Sequence, residues 1–169
     1  MTDIEGAQSA YATIRSKKTL KEILEVASSF ELSARDFYHD LIPKVSKNVR
    51  WVVEELAVEE QEHYGMLMAL AARADIESEI QSEIATPVSD GRFSDAVHIP
   101  DLGDKPDDQA VLQYAMGREH LAMEHYHNLA NEAPAGAIKA LFEYLANEET
   151  KHKAELEKVY YETVHSGGV

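Results

Sequence analysis

The sequence predicts an all-α fold, a bundle of four helices, and three observations carry that expectation. Four segments, 19–42, 47–85, 107–132 and 135–164, repeat apolar residues at spacings of three and four. All five prolines (Pro43, Pro87, Pro100, Pro106 and Pro134) fall between those segments, as an uninterrupted helix backbone requires. The chain also repeats itself. ELSARDFYHDL (31–41) matches EHLAMEHYHNL (119–129), and LAVEEQEHYGML (56–67) matches LANEETKHKAEL (145–156). A two-helix unit thus occurs twice, which implies a pseudo-twofold arrangement.

Residues 1–18 are weakly patterned and read as a short helix or an N-terminal arm. The first helix opens on Thr19-Leu20-Lys21-Glu22, a capping-box pattern, and carries Leu20, Ile23, Leu24, Ala27, Ala34, Phe37 and Leu41 on one face. The second carries Val49, Val52, Val53, Leu56, Leu67 and Leu70. Ile76, Ile80 and Ile84, four apart, extend it to about Ala85 and form a candidate dimer contact. Residues 86–107 are rich in turn formers and read as a crossover. Fully extended they reach about 65 Å, enough to run back along a helix roughly 35–45 Å long. The third helix carries Leu112, Ala115, Ala122 and Leu129; the fourth carries Ile138, Leu141, Phe142, Leu145, Leu156 and Val159. Residues 165–169 read as a tail.

At 169 residues the chain suits one domain spanning 19–164. Sixteen Lys and Arg stand against 31 Asp and Glu, a formal charge of -15 that repels a phosphate backbone and argues against nucleic-acid binding. The absence of cysteine excludes disulfides, thiolate catalysis and iron–sulfur ligation by this chain. The opening MTDIEGAQSA lacks the pattern of a signal peptide, and no apolar run is long enough for a membrane span. The expectation is a soluble, cytoplasmic protein.

The apolar faces are interrupted at six places. Glu31 follows Ala27 on the first helix, Glu60 and His63 follow Leu56 on the second, Glu119 lies between Ala115 and Ala122, and Glu149 and His152 follow Leu145. Four carboxylates facing one another inside a bundle carry a desolvation cost of several kcal/mol each, in order of magnitude. No Lys or Arg occupies the neighbouring seam positions, so salt bridges do not answer the charge. A pair of divalent cations does, with two neutral imidazoles completing the donor set. Oxygen and imidazole donors suit iron or manganese. Each Glu-x-x-His puts both groups on one helix face, and each follows a buried-face Glu by 29 or 30 positions. Glu60 and Glu149 are the candidate bridging ligands, His63 and His152 terminal, and Glu31 and Glu119 the terminal carboxylates. Glu59 and Glu148 also repeat and are alternative chelators, although they continue the apolar faces less well.

Tyr38 and Tyr126 lie two turns beyond Glu31 and Glu119. They read either as core aromatics with satisfied hydroxyls or as donors to a ligand carboxylate on the opposite helix. His39 and His127 fall off the apolar face and read as surface residues, and His98, His120, His125 and His165 as solvated. Met66, Met68, Met116 and Met123 read as core fillers and Trp51 as a helix or subunit contact. Gly65 and Gly117 suggest close backbone approach or a channel.

As a set, Glu31, Glu60-Gln61-Glu62-His63, Glu119 and Glu149-Thr150-Lys151-His152, with Tyr38 and Tyr126, resemble the ferritin-like superfamily, and within it the di-iron domain of the rubrerythrins. The resemblance covers 19–164 and implies a ferritin-like four-helix bundle, two antiparallel pairs joined by a long crossover. It implies two iron ions (manganese or a mixed pair being alternatives) and reduction of hydrogen peroxide or dioxygen with an external electron-donor protein, in a homodimer or higher homo-oligomer. Three features depart from the rubrerythrin pattern or its relatives. Ala122 stands where rubrerythrins carry a further carboxylate, and the four-cysteine rubredoxin domain has no counterpart here. Gln61 stands where bacterioferritins have their haem-ligating Met, so no haem is expected. The alternatives are a ferroxidase or iron-storage subunit, an oxygenase acting on an organic substrate, and a structural bundle with a vestigial site.

Overall fold

The structure, a computed structural model, describes residues 17–85 and 102–166. The arm at 1–16, most of the crossover with His98, and 167–169 lie outside the described residues. Four long helices dominate: α1 (Leu20–Leu41), α2 (Lys47–Ala71), α3 (Asp108–Glu132) and α4 (Ala137–Ser166). Thr19 caps α1 by accepting from the Glu22 N–H at 3.2 Å, as the capping pattern requires. Asp107 caps α3 through the Gln109 N–H at 3.0 Å. Pro43 and Pro134 follow the ends of α1 and α3, where their missing N–H costs nothing.

Loops 42–46 and 133–136 are short, so α1 packs against α2 and α3 against α4 as antiparallel pairs. The pairs meet along α2 and α4. Arg50 secures the first loop, donating to the carbonyls of Ile42 (3.1 Å) and Val45 (2.9 Å). Ser46 turns its hydroxyl to Asp108 at 2.7 Å, joining the start of α2 to the start of α3.

The isoleucine run beyond α2 behaves differently from its period. The helix ends at Ala71; a 3-10 turn (Ala74–Ile76), one helical turn (Glu77–Ile80) and a short strand follow. That strand, β2 (Glu83–Ala85), pairs antiparallel with β1 (Lys17–Thr19), Lys18 opposite Ile84. Arg73 breaks the helix with an extended backbone and grips Asp75 through two bonds of 3.0 and 2.6 Å. Ile80 and Ile84 are buried and Ile76 packs beside them, all against the chain's own core. They are therefore core residues and form no free dimer face. Spacing of four fits a helix, but a turn followed by a strand delivers the same side chains to one side.

The same segment closes the end of the bundle. Glu79 accepts from the Ile138 N–H at 3.1 Å, capping α4 from across the fold. A Cβ on Gly136 would come within 2.5 Å of the Glu79 carboxylate, so the glycine makes room for this cap.

The interior divides in two. One apolar cluster gathers Leu24, Phe30, Leu67, Leu129, Phe142 and Leu145; the other gathers Phe37, Val53, Leu56, Leu112 and Leu156. Every helix crosses from one cluster to the other, and at each crossing stands a polar residue.

Candidate metal centre

The layer between the clusters contains Glu31, Glu60, His63, Glu119, Glu149 and His152, each at most 3% exposed. Glu31 sits between Ala27 and Ala34 of α1, and Glu119 between Ala115 and Ala122 of α3, all four alanines buried. Their small side chains leave room for groups from the opposite pair. The i, i+3 spacing points each Glu and His of α2 and α4 inward together.

Two sets of four ligating atoms result, each set lying within 4.8 Å of one another: Glu31, Glu60, His63 and Glu149, and Glu60, Glu119, Glu149 and His152. Glu60 and Glu149 belong to both. His63 Nδ1 lies 3.0 Å from Glu149, 3.6 Å from Glu60 and 3.7 Å from Glu31. His152 Nδ1 lies 3.6 Å from Glu119, 3.7 Å from Glu149 and 4.0 Å from Glu60. The two imidazoles stack with centroids 5.5 Å apart.

One carboxylate oxygen of each of Glu31, Glu60, Glu119 and Glu149, and Nδ1 of both histidines, are buried without a hydrogen-bond partner among the described residues. The 3.0 Å His63–Glu149 contact is close but misaligned, so both of its atoms count among them. Such atoms carry a penalty of about 1–3 kcal/mol each unless something satisfies them. Six inward-facing donors, two of them imidazole nitrogens and four carboxyl oxygens, fit a pair of divalent cations.

Electrostatics divides the carboxyls into two kinds. Burial, then repulsion from Glu149, Glu31 and Glu119, pushes Glu60 well above the ordinary carboxylate range; burial and Glu119 do the same to Glu149. Burial also works against ionising Glu31, but the nearby Glu60 carboxyl and His63 ring, with the bond from Tyr126, outweigh it and hold this carboxyl low. Glu119, desolvated yet drawn down by the neighbouring Glu149 carboxyl and His152 ring and by the bond from Tyr38, comes down to about 2. Burial disfavours charge on both imidazoles, but the surrounding carboxylates dominate and raise them.

The tyrosines cross between the pairs. Tyr38 of α1 donates to Glu119 Oε1 of α3 at 2.8 Å, and Tyr126 of α3 donates to Glu31 Oε1 of α1. Each fixes one oxygen of Glu119 or Glu31 and leaves Oε2 facing the centre. Burial, with repulsion from the bonded carboxylate, pushes both phenols well up, so they stay protonated donors.

Glu59 and Glu148 stand just outside the layer. Glu59 Oε2 is 2.7 Å from His152 Nε2, the ring nitrogen away from the centre, although the contact is off a hydrogen bond's line. A Glu148 oxygen lies within 4.8 Å of ring nitrogens of both His63 and His152. Of the two, Glu59 is the one placed close behind a histidine.

Other side chains depart from their sequence reading. Arg118, next to Glu119, is 3% exposed, with its guanidinium 4.7 Å from the Phe30 ring centre and bonds to the Phe30 carbonyl and the Tyr114 hydroxyl. A cation thus borders the anionic layer; the signal was available in the repeat, where Phe30 and Arg118 are equivalent positions. His125 is half-buried, and burial lowers it to about 4. Met66 and Met68 are 37% and 47% exposed, so they do not fill the core, whereas Met116 packs against it. Trp51 is 48% exposed. A Cβ on Gly65 or Gly117 would meet nothing within 4 Å, so neither permits a close approach. His39, His127 and His165 are exposed as expected; His120 is half-buried beside Glu124 and Lys153.

The fold is ferritin-like, and its buried layer of carboxylates and histidines has the composition of a metal-binding centre. A Thermotoga maritima protein whose crystal structure is described as ferritin-like and diiron-carboxylate superposes with a TM-score of 0.69 at 19% identity, covering 87% of this chain and 97% of that one. A hypothetical protein from Pyrococcus furiosus gives 0.58 at 26% identity, over 85% and 89%. No family model matches the sequence, and no curated relative does. No described helix is long and apolar enough to cross a membrane.

Proposed function

We propose that this chain is a di-iron carboxylate oxidoreductase of rubrerythrin type, reducing hydrogen peroxide or dioxygen with an external electron-donor protein. The observation that carries the reading is the sharing of Glu60 and Glu149 between two four-donor sets, each with its own Glu and His. In this reading Glu31 and His63 would hold one ion, Glu119 and His152 the other, and Glu60 and Glu149 would span both. Held there as ferrous ions, the pair would supply two electrons together, so that one peroxide with two protons leaves as two waters.

The protein's own part is to fix donors and exclude water. Tyr38 and Tyr126 orient the terminal carboxylates, and the two apolar clusters keep the layer dry on both sides. A chain without cysteine holds no iron–sulfur centre of its own, which is why the electrons are assigned to a partner protein. A cytoplasmic location and a homo-oligomer belong to the same reading. The exposed Trp51, Val58 and Met68 of α2 support the latter.

Stopped-flow mixing of the ferrous-loaded protein with peroxide or dioxygen tests the reaction. Oxidation faster than that of free Fe(II), with iron saturating at two per chain, is expected. Oxidation no faster than free iron would refute a redox role, and uptake far above two per chain would make the protein a storage subunit.

A further inference from the structure

We propose that the two halves of the centre are made unequal by one charge reversal in the repeat, Glu62 against Lys151, which leaves Glu59 to back His152 but draws Glu148 away from His63. The inference rests on the metal-centre reading above and goes beyond it, since the ligands themselves are the same in both halves.

Glu59 and Glu148 each precede a shared carboxylate, Glu60 or Glu149; Glu59 lies beside His152, and a Glu148 oxygen lies within 4.8 Å of ring nitrogens of both histidines. A carboxylate on the outer nitrogen of a ligating imidazole holds the ring's orientation and increases its donor strength. Glu59 is placed for this, with Oε2 2.7 Å from His152 Nε2 and a side chain 29% exposed, so it has room to come into line. Its neighbour one turn on, Glu62, is another anion and offers no competing bond.

In the second half, position 151 holds a lysine. Lys151 Nζ lies 3.0 Å from Glu148 Oε1 and donates to it. Glu148 makes no contact with His63 or His152 as short as the one Glu59 makes. One histidine thus has a committed carboxylate behind it, while the other shares its carboxylate with a lysine. The position formed by Glu119 and His152 binds a divalent cation more tightly than the one formed by Glu31 and His63, and fills first.

Cobalt(II) is a suitable probe, because its visible bands report each site's ligand field apart from any turnover. Titration of the full chain should resolve two steps. Glu59→Ala should weaken the tighter step by about 10–100-fold and shift the band of the first cobalt bound, bringing the steps together. Glu59→Gln, which keeps an acceptor oxygen, should recover part of the loss. Glu148→Ala should change the weaker step by less than about threefold, since Glu148 is already engaged with Lys151 in an exposed pair of small worth. Lys151→Gln, at a site 74% exposed and safe for folding, should strengthen the weaker step by up to about fivefold and the tighter one by less. Equal losses in Glu59→Ala and Glu148→Ala, or two indistinguishable steps in the unaltered protein, would overturn the asymmetry and leave the metal centre standing. Failure to bind two cobalt ions at all would overturn both. Should Glu59→Ala not fold, Glu59→Gln and Lys151→Gln decide the matter alone.

Discussion

Metal uptake should be an exchange of protons for cations, and the number follows from the buried layer. Without metal, Glu60 and Glu149 are held protonated by burial and by their anionic neighbours, while Glu31 and Glu119 stay ionised. His63 and His152 carry charge. Two anions against two cations leave the layer neutral. With metal, four carboxylates and two neutral imidazoles face two divalent ions, and the layer is neutral again. The difference is two carboxyl protons and two imidazolium protons, so about four protons should leave per pair of ions.

The pH dependence has a definite sign. The raised histidines stabilise the metal-free fold below the unfolded value of 6.5, and that gain is lost as pH rises through their folded values. The raised Glu60 and Glu149 bind protons that the unfolded chain sheds above 4.5, so they too make the metal-free fold weaker as pH rises. Glu119 acts oppositely, stabilising above 4.5 and losing that contribution as pH falls toward about 2. Between pH 6 and 8, metal affinity should therefore rise with pH by up to about a hundredfold per unit for each ion, two protons being displaced by each. At a free concentration about 100-fold above Kd, one ion adds about 2.7 kcal/mol, and two add about twice that. In a chain of this size the melting temperature should rise by roughly 10–20 °C. Calorimetric titration with manganese(II) in buffers of different ionisation enthalpy counts the protons, and thermal melts at pH 6 and 8 measure the gain. Binding with no proton release, or a melting gain that does not grow with pH, would refute the protonation pattern argued here.

Glu60→Gln should raise the stability of the metal-free protein, by removing a carboxyl whose ionisation burial and its carboxyl neighbours oppose, and abolish most of the stabilisation by metal; paired melts with and without manganese measure both signs. Tyr126→Phe should cost about 1–3 kcal/mol in urea unfolding, by leaving Glu31 Oε1 without its donor, and should weaken metal binding. Gly136→Ala should displace the Glu79 carboxylate and cost about 1 kcal/mol of cap energy. Glu79→Ala should cost a similar amount and the double variant little more, a non-additivity that a double-mutant cycle reads. His125, depressed to about 4, remains neutral in the fold while the unfolded chain protonates it below 6.5; His125→Leu should therefore reduce the loss of stability between pH 6.5 and 4.5, as urea melts across that range would record.

The six inward residues were legible because a helix's period is rigid. Once Leu56 and Leu67 are assigned to one face, Glu60 and His63 have nowhere else to point, and the second copy of the motif repeats the constraint. What escaped were residues whose fate depends on a neighbour rather than on period. Arg118 lies one position from Glu119, about 100° around the helix, and its burial is decided by the Phe30 ring it covers. Met66 and Met68 were assigned to the core on composition, yet both remain partly exposed on α2. The isoleucines at 76, 80 and 84 matched a helix because a turn and a strand can also present residues on one side, and only pairing with β1 decides between them.

A repeated sequence would by itself give a symmetric centre, and the inward donors are nearly that: each half supplies a Glu, a Glu-x-x-His and a tyrosine aimed at the other half. The departures lie behind the inward donors, with Arg118 against Phe30, Lys151 against Glu62, and Glu59 closer to its histidine than Glu148 to either. Substitution of a ligand removes a site, so inward positions have few tolerated alternatives. A side chain behind a ligand changes only orientation and donor strength, by amounts a stable fold absorbs. Differences between the two halves can therefore accumulate in the layer behind the inward donors without loss of any donor. In this protein that layer is where the two halves stop being copies of each other.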